Sequence, residues 1–131
     1  MSQLEFKVIK PSSAPEAIGP YSQAIVAGNM VFCAGQIPLH PQTRALVNEN
    51  IDEATRMVLN NVKGVLSAAG CSLSDVVKAT VFMVDLKDFA GMNAVYAEYF
   101  GSHRPARSTV QVAALPAGAR VEIEVIAIKR S

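Results

Sequence analysis

Apolar residues recur along this chain at two spacings, and the switches between them mark out its elements. Phe6 to Ile9 reads as a short first strand, closed by Lys10-Pro11-Ser12-Ser13. A loop from Ala14 through Pro20 follows, with Pro15 and Gly19-Pro20 inside it. Gly28-Asn29 then lies between Ile25-Val26-Ala27 and Met30-Val31-Phe32-Cys33-Ala34, which predicts a hairpin. Gly35-Gln36 interrupts the return strand, as a glycine does where another chain segment or a ligand comes close. His40 to Arg44 is a polar loop, and His40 reads as a plain surface residue.

From Asn50 the period lengthens. Ile51, Thr55, Val58, Val62, Leu66 and Ala69 recur every three or four residues, the spacing of one helix face. Asn50 is placed to cap its start and Gly70 to end it. Gly64, inside the helix, implies a close contact there. Val76 to Val84 is the longest β-branched run and reads as a central strand covered on both faces. Asp85 and Asp88 are N-cap candidates for a second helix with the stripe Phe89, Met92, Tyr96 and Phe100, which reads as core. Gly101 ends it. Pro105 lacks a backbone donor and turns the residue before it away from helix, so the chain restarts extended. Ser108 to Leu115 reads as a strand, Pro116 to Ala119 as a turn, and Arg120 to Ile128 as a last strand alternating charged and apolar positions.

Two helices can cover only one face of a six-stranded sheet, so the pattern predicts an uncovered face and hence an oligomer. Composition sharpens this. The chain has 131 residues, the size of one domain spanning 1–131, and is 50% hydrophobic but only 18% charged. That charged fraction is below the roughly 25% of an ordinary soluble domain. A net charge of +1 gives no basic footprint for nucleic acid, and without Trp there is no obvious platform for stacking bases. Cys33 and Cys71 form no CxxC pair and have no histidine at metal spacing, so they read as free thiols of an intracellular protein. The segment Met1 to Lys7 lacks the apolar core of a signal peptide, and no run has the roughly 20 apolar residues of a membrane span.

The chemistry centres on Arg104-Pro105-Ala106-Arg107-Ser108-Thr109 and the strand after it. If the last two strands pair as an antiparallel hairpin, Arg107 comes near a carboxylate of Glu122 or Glu124. An arginine fork beside an acid suits a small carboxylate substrate with a water activated next to it; a surface ion pair is the plainer alternative. The alternation places both glutamates on one face and does not choose between them.

Six stretches stand in a fixed order along the chain: Ala17-Ile18-Gly19-Pro20-Tyr21-Ser22-Gln23-Ala24, Gly35-Gln36-Ile37-Pro38, Ala68-Ala69-Gly70, Asp75-Val76-Val77-Lys78, Pro105-Ala106-Arg107-Ser108 and Val121-Glu122-Ile123-Glu124. Together they resemble the YjgF/RidA family of reactive-intermediate deaminases. Each alone is weak; their joint order along nearly the whole chain is specific. The resemblance implies a chorismate-mutase-like α+β fold: a six-stranded mixed sheet with two helices on one face. It also implies a cytoplasmic homotrimer with a central sheet barrel and sites between subunits. The implied activity is that of a 2-iminobutanoate/2-iminopropanoate deaminase. Such an enzyme converts the imines released by pyridoxal-phosphate dehydratases to 2-keto acids and ammonia, without cofactor or metal.

By the same resemblance Arg107 grips the substrate carboxylate and Glu122 orients the attacking water. Tyr21 walls the pocket, Gly35 offers its backbone, and Asn93 lines it. Plainer roles exist for two of these: Tyr21 as an interface residue and Asn93 as a helix residue bonded to backbone. Two positions depart from the family pattern. Thr109 stands where bacterial members often have cysteine, and its hydroxyl can still donate to a carboxylate oxygen. Ala34 stands where many members have serine, so any contact of that hydroxyl is lost. Two other readings compete: a translation-inhibiting endoribonuclease, disfavoured by the balanced charge, and a ligand-sensing or chaperone-like trimer without turnover.

Overall fold

The computed structural model describes residues 5–130, so Met1 to Leu4, part of the segment read as lacking a signal peptide, lie outside it. Six strands and two helices form in the order foreseen: β1 (Phe6–Ile9), β2 (Ala24–Ala27), β3 (Met30–Gln36), α1 (Ile51–Ala68), β4 (Val76–Met83), α2 (Phe89–Phe100), β5 (Ala106–Gln111) and β6 (Val121–Ile128). The result is an α+β fold on one mixed sheet of order β1-β2-β3-β6-β4-β5.

Local chemistry explains most boundaries. The Asn50 side chain accepts a hydrogen bond from the Glu53 amide at 2.9 Å and caps α1. Gly70 follows at φ +79°, and the amides of Gly70 and Cys71 close onto the Ser67 and Leu66 carbonyls. Where Gly64 would carry a Cβ, the backbone of Ser13 already lies. Asp85 caps a short 3-10 turn, Leu86–Asp88, rather than α2 itself. His40 is less idle than expected, since its Nδ1 accepts from the amides of Gln42 and Thr43 and shapes that loop.

The last two strands do not form the expected hairpin. Residue Val81 of β4 pairs with Ile123 of β6 on one side and Thr109 of β5 on the other, so β4 lies between them. Burial decides this. Val121, Ile123, Val125 and Ala127 are all buried, and a strand carrying such a stripe gains most at the centre of the sheet, where α1 packs on it. Strand β5 has no comparable stripe and takes the edge. Its connection from β4 runs through α2, which returns it parallel, as helical crossovers do.

Both helices pack on one face. Val31, Cys33, Ala79, Val81, Met83, Ile123 and Val125 meet Val58, Leu59, Val62, Leu66, Met92 and Val95 there. Nothing among the described residues covers the other face. It carries Phe6, Val8, Phe32 and Val110, between 41% and 69% exposed. The expectation that β4 is covered on both faces therefore holds on one side only: Ala79, Val81 and Met83 are buried, while Thr80 and Phe82 are part-exposed.

Candidate active site

The strand register sorts the candidate residues onto two sides of the sheet. Arg107 pairs with Ala79, a buried residue of the helix-covered face. Glu122 pairs with Phe82, on the uncovered face. Side chains alternate along a strand, so in one subunit the two point away from each other. The neighbourhood expected from a hairpin does not exist within the chain.

On the helix-covered face, Arg107 lies in a cleft of about 370 Å³ between β5 and α2. Its guanidinium carbon stands 4.7 Å from the centre of the Tyr96 ring and 5.6 Å from that of Phe89. Cations favour such ring faces, and two rings restrain a long side chain that would otherwise wander. Asn93, one helical turn before Tyr96, lines the same cleft, as do Arg104 and Pro105. Thr109 faces the same way, two residues along β5, and its Oγ1 is buried without a partner. The Tyr96 hydroxyl is likewise buried and unpartnered. Burial raises the Tyr96 pKa, while the positive charges of Arg107 and Arg104 oppose that rise. Tyr96 belongs to the stripe that reads as core, and it is buried. Its spacing of three from Asn93 was the signal that it also borders the cleft.

On the opposite face, Glu122 is half-buried against Gly35. The register between β3 and β6 shifts between Cys33 and Gln36 at this point. A Cβ on Gly35 would overlap the Glu122 carboxylate, so glycine is what lets the acid sit there. Burial first, and the charge of Glu124 second, push the Glu122 pKa above its ordinary value of 4.5. Glu124 is exposed. The two glutamates share a face, as the alternation required, but only Glu122 rests against Gly35.

Tyr21 and Gly35 border a small cavity of about 30 Å³ with Gln36 and Ile37. The Tyr21 hydroxyl accepts from the Ile18 amide at 3.3 Å, which folds the Gly19-Pro20 loop back on itself. A buried glutamine pair fastens that loop to β3: Gln36 Nε2 donates to Gln23 Oε1 at 2.7 Å, and Gln23 Nε2 donates to the Pro15 carbonyl. The Ala34 amide donates to the Gln23 carbonyl at 2.8 Å, so Ala34 takes part through its backbone. The structure thus groups Arg107, Asn93 and Thr109 on one side, and Tyr21, Ala34, Gly35 and Glu122 on the other.

Cys33 and Cys71 are both buried and unpaired with each other, and burial pushes the Cys33 thiol up to about 12. A thiol held neutral in this way is a core residue rather than a nucleophile.

Residues 11–129 match the family model described as Endoribonuclease L-PSP. The chain belongs to the YjgF/RidA family. A RutC family protein of Pyrococcus horikoshii is 55% identical over 94% of this chain and 98% of its own. The human protein named 2-iminobutanoate/2-iminopropanoate deaminase is 45% identical over 98% of this chain and 94% of its own. Among solved structures, that of Escherichia coli TdcF with bound serine superposes with a TM-score of 0.90 at 48% identity, covering 95% of this chain and 99% of that one. These likenesses run the length of the YjgF/RidA fold, so both groups of candidate residues lie within the matched region.

Proposed function

We propose that this protein hydrolyses small 2-imino acids to 2-keto acids and ammonia, in a homotrimer whose clefts set Arg107 of one subunit opposite Glu122 of the next. One observation carries the reading: a guanidinium steadied by two aromatic rings on one face, and a half-buried carboxylate on the other. Two such groups on opposite faces of one sheet serve one substrate only if another copy brings them together. The exposed apolar side chains of the uncovered face supply a reason for copies to associate. Three sheets closing into a barrel would bury them. The name of the human relative and the serine held by TdcF point to the same ligand class, a small amino-acid-like carboxylate.

The chemistry follows from the groups. Arg107 binds both oxygens of the substrate carboxylate, each charge-assisted bond contributing roughly 1.5–3 kcal/mol. The cleft around it holds no acid to compete. Glu122, its pKa raised above the ordinary value by burial and by the Glu124 charge, takes a proton from water as that water adds to the iminium carbon. Glu122 returns that proton to the carbinolamine nitrogen, and as the C–N bond breaks the hydroxyl proton passes to the carboxylate or water, so ammonia leaves and the keto acid forms. General acid–base help of this kind is worth typically 10²–10⁴-fold. The carboxylate also stabilises the positively charged imine electrostatically. Tyr21, Asn93 and Thr109 complete the walls. No cofactor or metal enters the scheme, and the reaction belongs where the imines arise, in the cytoplasm.

The test is ammonia release from 2-iminopropanoate and 2-iminobutanoate generated in situ, in excess of the spontaneous rate. No acceleration, with the trimer intact, would overturn the reading. The family model's description as an endoribonuclease keeps RNA cleavage as the second reading. It requires salt-dependent RNA binding, which a chain of net charge +1 is poorly equipped to give.

A further inference from the structure

Four polar side chains are buried among the described residues: Gln23, Gln36, Thr55 and Asn61. Three of them converge on one stretch, 34–39, where β3 leaves the sheet. The ladder is broken there. Cys33 pairs with Val125 and Gln36 with Ile123, so three steps along β3 answer two along β6 and one extra residue bulges out. Gly35, which rests against the Glu122 carboxylate, lies inside this bulge. A bulged residue lacks its ladder bonds, and here side-chain amides take their place. Gln36 Nε2 donates to the Ala34 carbonyl at 3.3 Å and to Gln23 Oε1 at 2.7 Å. Asn61 reaches the far end of the stretch from α1. Its Nδ2 donates to the Leu39 carbonyl at 2.8 Å and to the Ile37 carbonyl at 3.3 Å. It thereby braces the tight turn around Pro38, where the Leu39 amide bonds the same Ile37 carbonyl at 2.8 Å.

We propose that Asn61 is a positioning residue for Glu122: by fixing the exit of β3 from the helix-covered side, it keeps Gly35 seated against the carboxylate on the other side. This rests on the imine-hydrolase reading and adds a residue that never touches substrate. Asparagine is a poor helix former, and its amide is costly to bury unless bonded. At 1% exposure an apolar residue would pack there at lower cost. What asparagine adds is the pair of bonds to a segment that no ladder holds. Gly35 is two residues before Ile37, so slack at the turn passes directly into the bulge.

The experiment uses Asn61→Leu on the intact protein, which keeps the branched shape and removes the donor. Its kcat for 2-iminopropanoate hydrolysis should fall fivefold or more, with KM within twofold. The titration midpoint of the Glu122 carboxyl, followed by carbon NMR, should fall toward 4.5, because a loosened carboxyl is better hydrated. Glu124, the charge that acts on Glu122, is unaltered, and its neighbours Gly35 and Phe82 carry none, so the shift reports burial. A lower melting temperature with that midpoint unmoved would mark Asn61 as plain core and overturn the proposal. Thr55→Val removes another buried polar group of α1, one without a partner, and should leave kcat and midpoint unchanged. An equal effect there overturns the proposal too. In Gly35→Ala the seat is already lost, so adding Asn61→Leu should lower kcat less than twofold further; full multiplication of the two losses would show independent action and sink the idea. Asn61→Ala, judged by the same outcomes, serves if leucine prevents folding. If wild type hydrolyses no imine, the deaminase reading fails by itself, and the carboxyl titration alone decides whether Asn61 seats Glu122.

Discussion

Gly35 and Glu122 are in contact so close that a single added methyl group on Gly35 would occupy the space of the carboxylate. The acid is held in place by a residue that has no side chain. Gly35→Ala should therefore displace Glu122 while leaving the sheet pairing intact, because the φ of Gly35 is one that alanine accepts. The expected result is a fall in kcat of at least tenfold with little change in melting temperature. Steady-state kinetics and a thermal melt on the same preparation check it; full activity in the alanine variant would mean the carboxylate has no catalytic position to lose.

Glu122 also sets a pH dependence. Burial and the Glu124 charge raise its pKa above 4.5, so activity that needs the carboxylate should fall on the acid side with a midpoint above that value. Glu124→Gln removes the second of these causes and should move the limb to lower pH; Glu122→Gln should abolish turnover while keto-acid binding persists. The stability consequence has a definite sign. A carboxyl whose folded pKa is raised stabilises fully below pH 4.5 and loses that contribution as pH rises through the folded pKa. Glu122→Gln should therefore flatten the stability profile across that window, measurable by denaturant titration from pH 4 to 7. If Glu124→Gln proves the more damaging change to turnover, the acid has been misassigned.

Arg107→Ala should cost about 3 kcal/mol in kcat/KM, near a hundredfold, from the loss of a bidentate charged contact. Arg107→Lys should recover only part, because an ammonium binds as a point charge. Melting temperature should barely move, since the residue borders a cleft at a sheet edge. A folded, fully active alanine variant would sink the mechanism.

Tyr96 separates two roles of one side chain. Its ring faces the guanidinium, while its hydroxyl is buried without a partner. An unpaired buried polar group costs roughly 1–3 kcal/mol, so Tyr96→Phe should be no less stable than wild type and bind keto acids as well. Chemical denaturation and calorimetry report both. Destabilisation would reveal a partner for the hydroxyl in the assembled protein.

The uncovered face predicts association, and the proposed function requires that the assembly be a trimer, which light scattering at micromolar concentration checks. Phe32, 44% exposed at the middle of that face, is the place to break it. Phe32→Glu should give monomers that keep their helical signal and lose imine hydrolysis altogether, because neither group of residues works alone. An active monomer would overturn the shared site.

Much of the fold was legible because it depends on neighbours in sequence. The period of three or four from Ile51 to Ala69, the Asn50 cap and the Gly70 stop bound α1, and the Gly28-Asn29 turn makes β2 and β3 pair. The inference of an uncovered face needed only a count of helices against strands. The close contact at Gly64 was likewise foreseen, though not that Ser13 would make it.

Strand order was not legible in this way. Two strands joined by a turn pair when nothing competes, but β6 carries a fully buried stripe and finds more burial between β3 and β4 than beside β5. That choice is a comparison between distant partners, and no local pattern encodes it. The same choice carries Arg107 and Glu122 to opposite faces and singles out Glu122 over Glu124 through its contact with Gly35. The sequence by itself determined which elements form, which residues are candidates for a site and that one sheet face lacks a cover, since periodicity and composition act over a few residues. Only the tertiary structure decided which of those residues meet. Register and strand order are set by the burial of the whole sheet at once, and they put the two groups of candidate residues on faces that a single subunit cannot bring together.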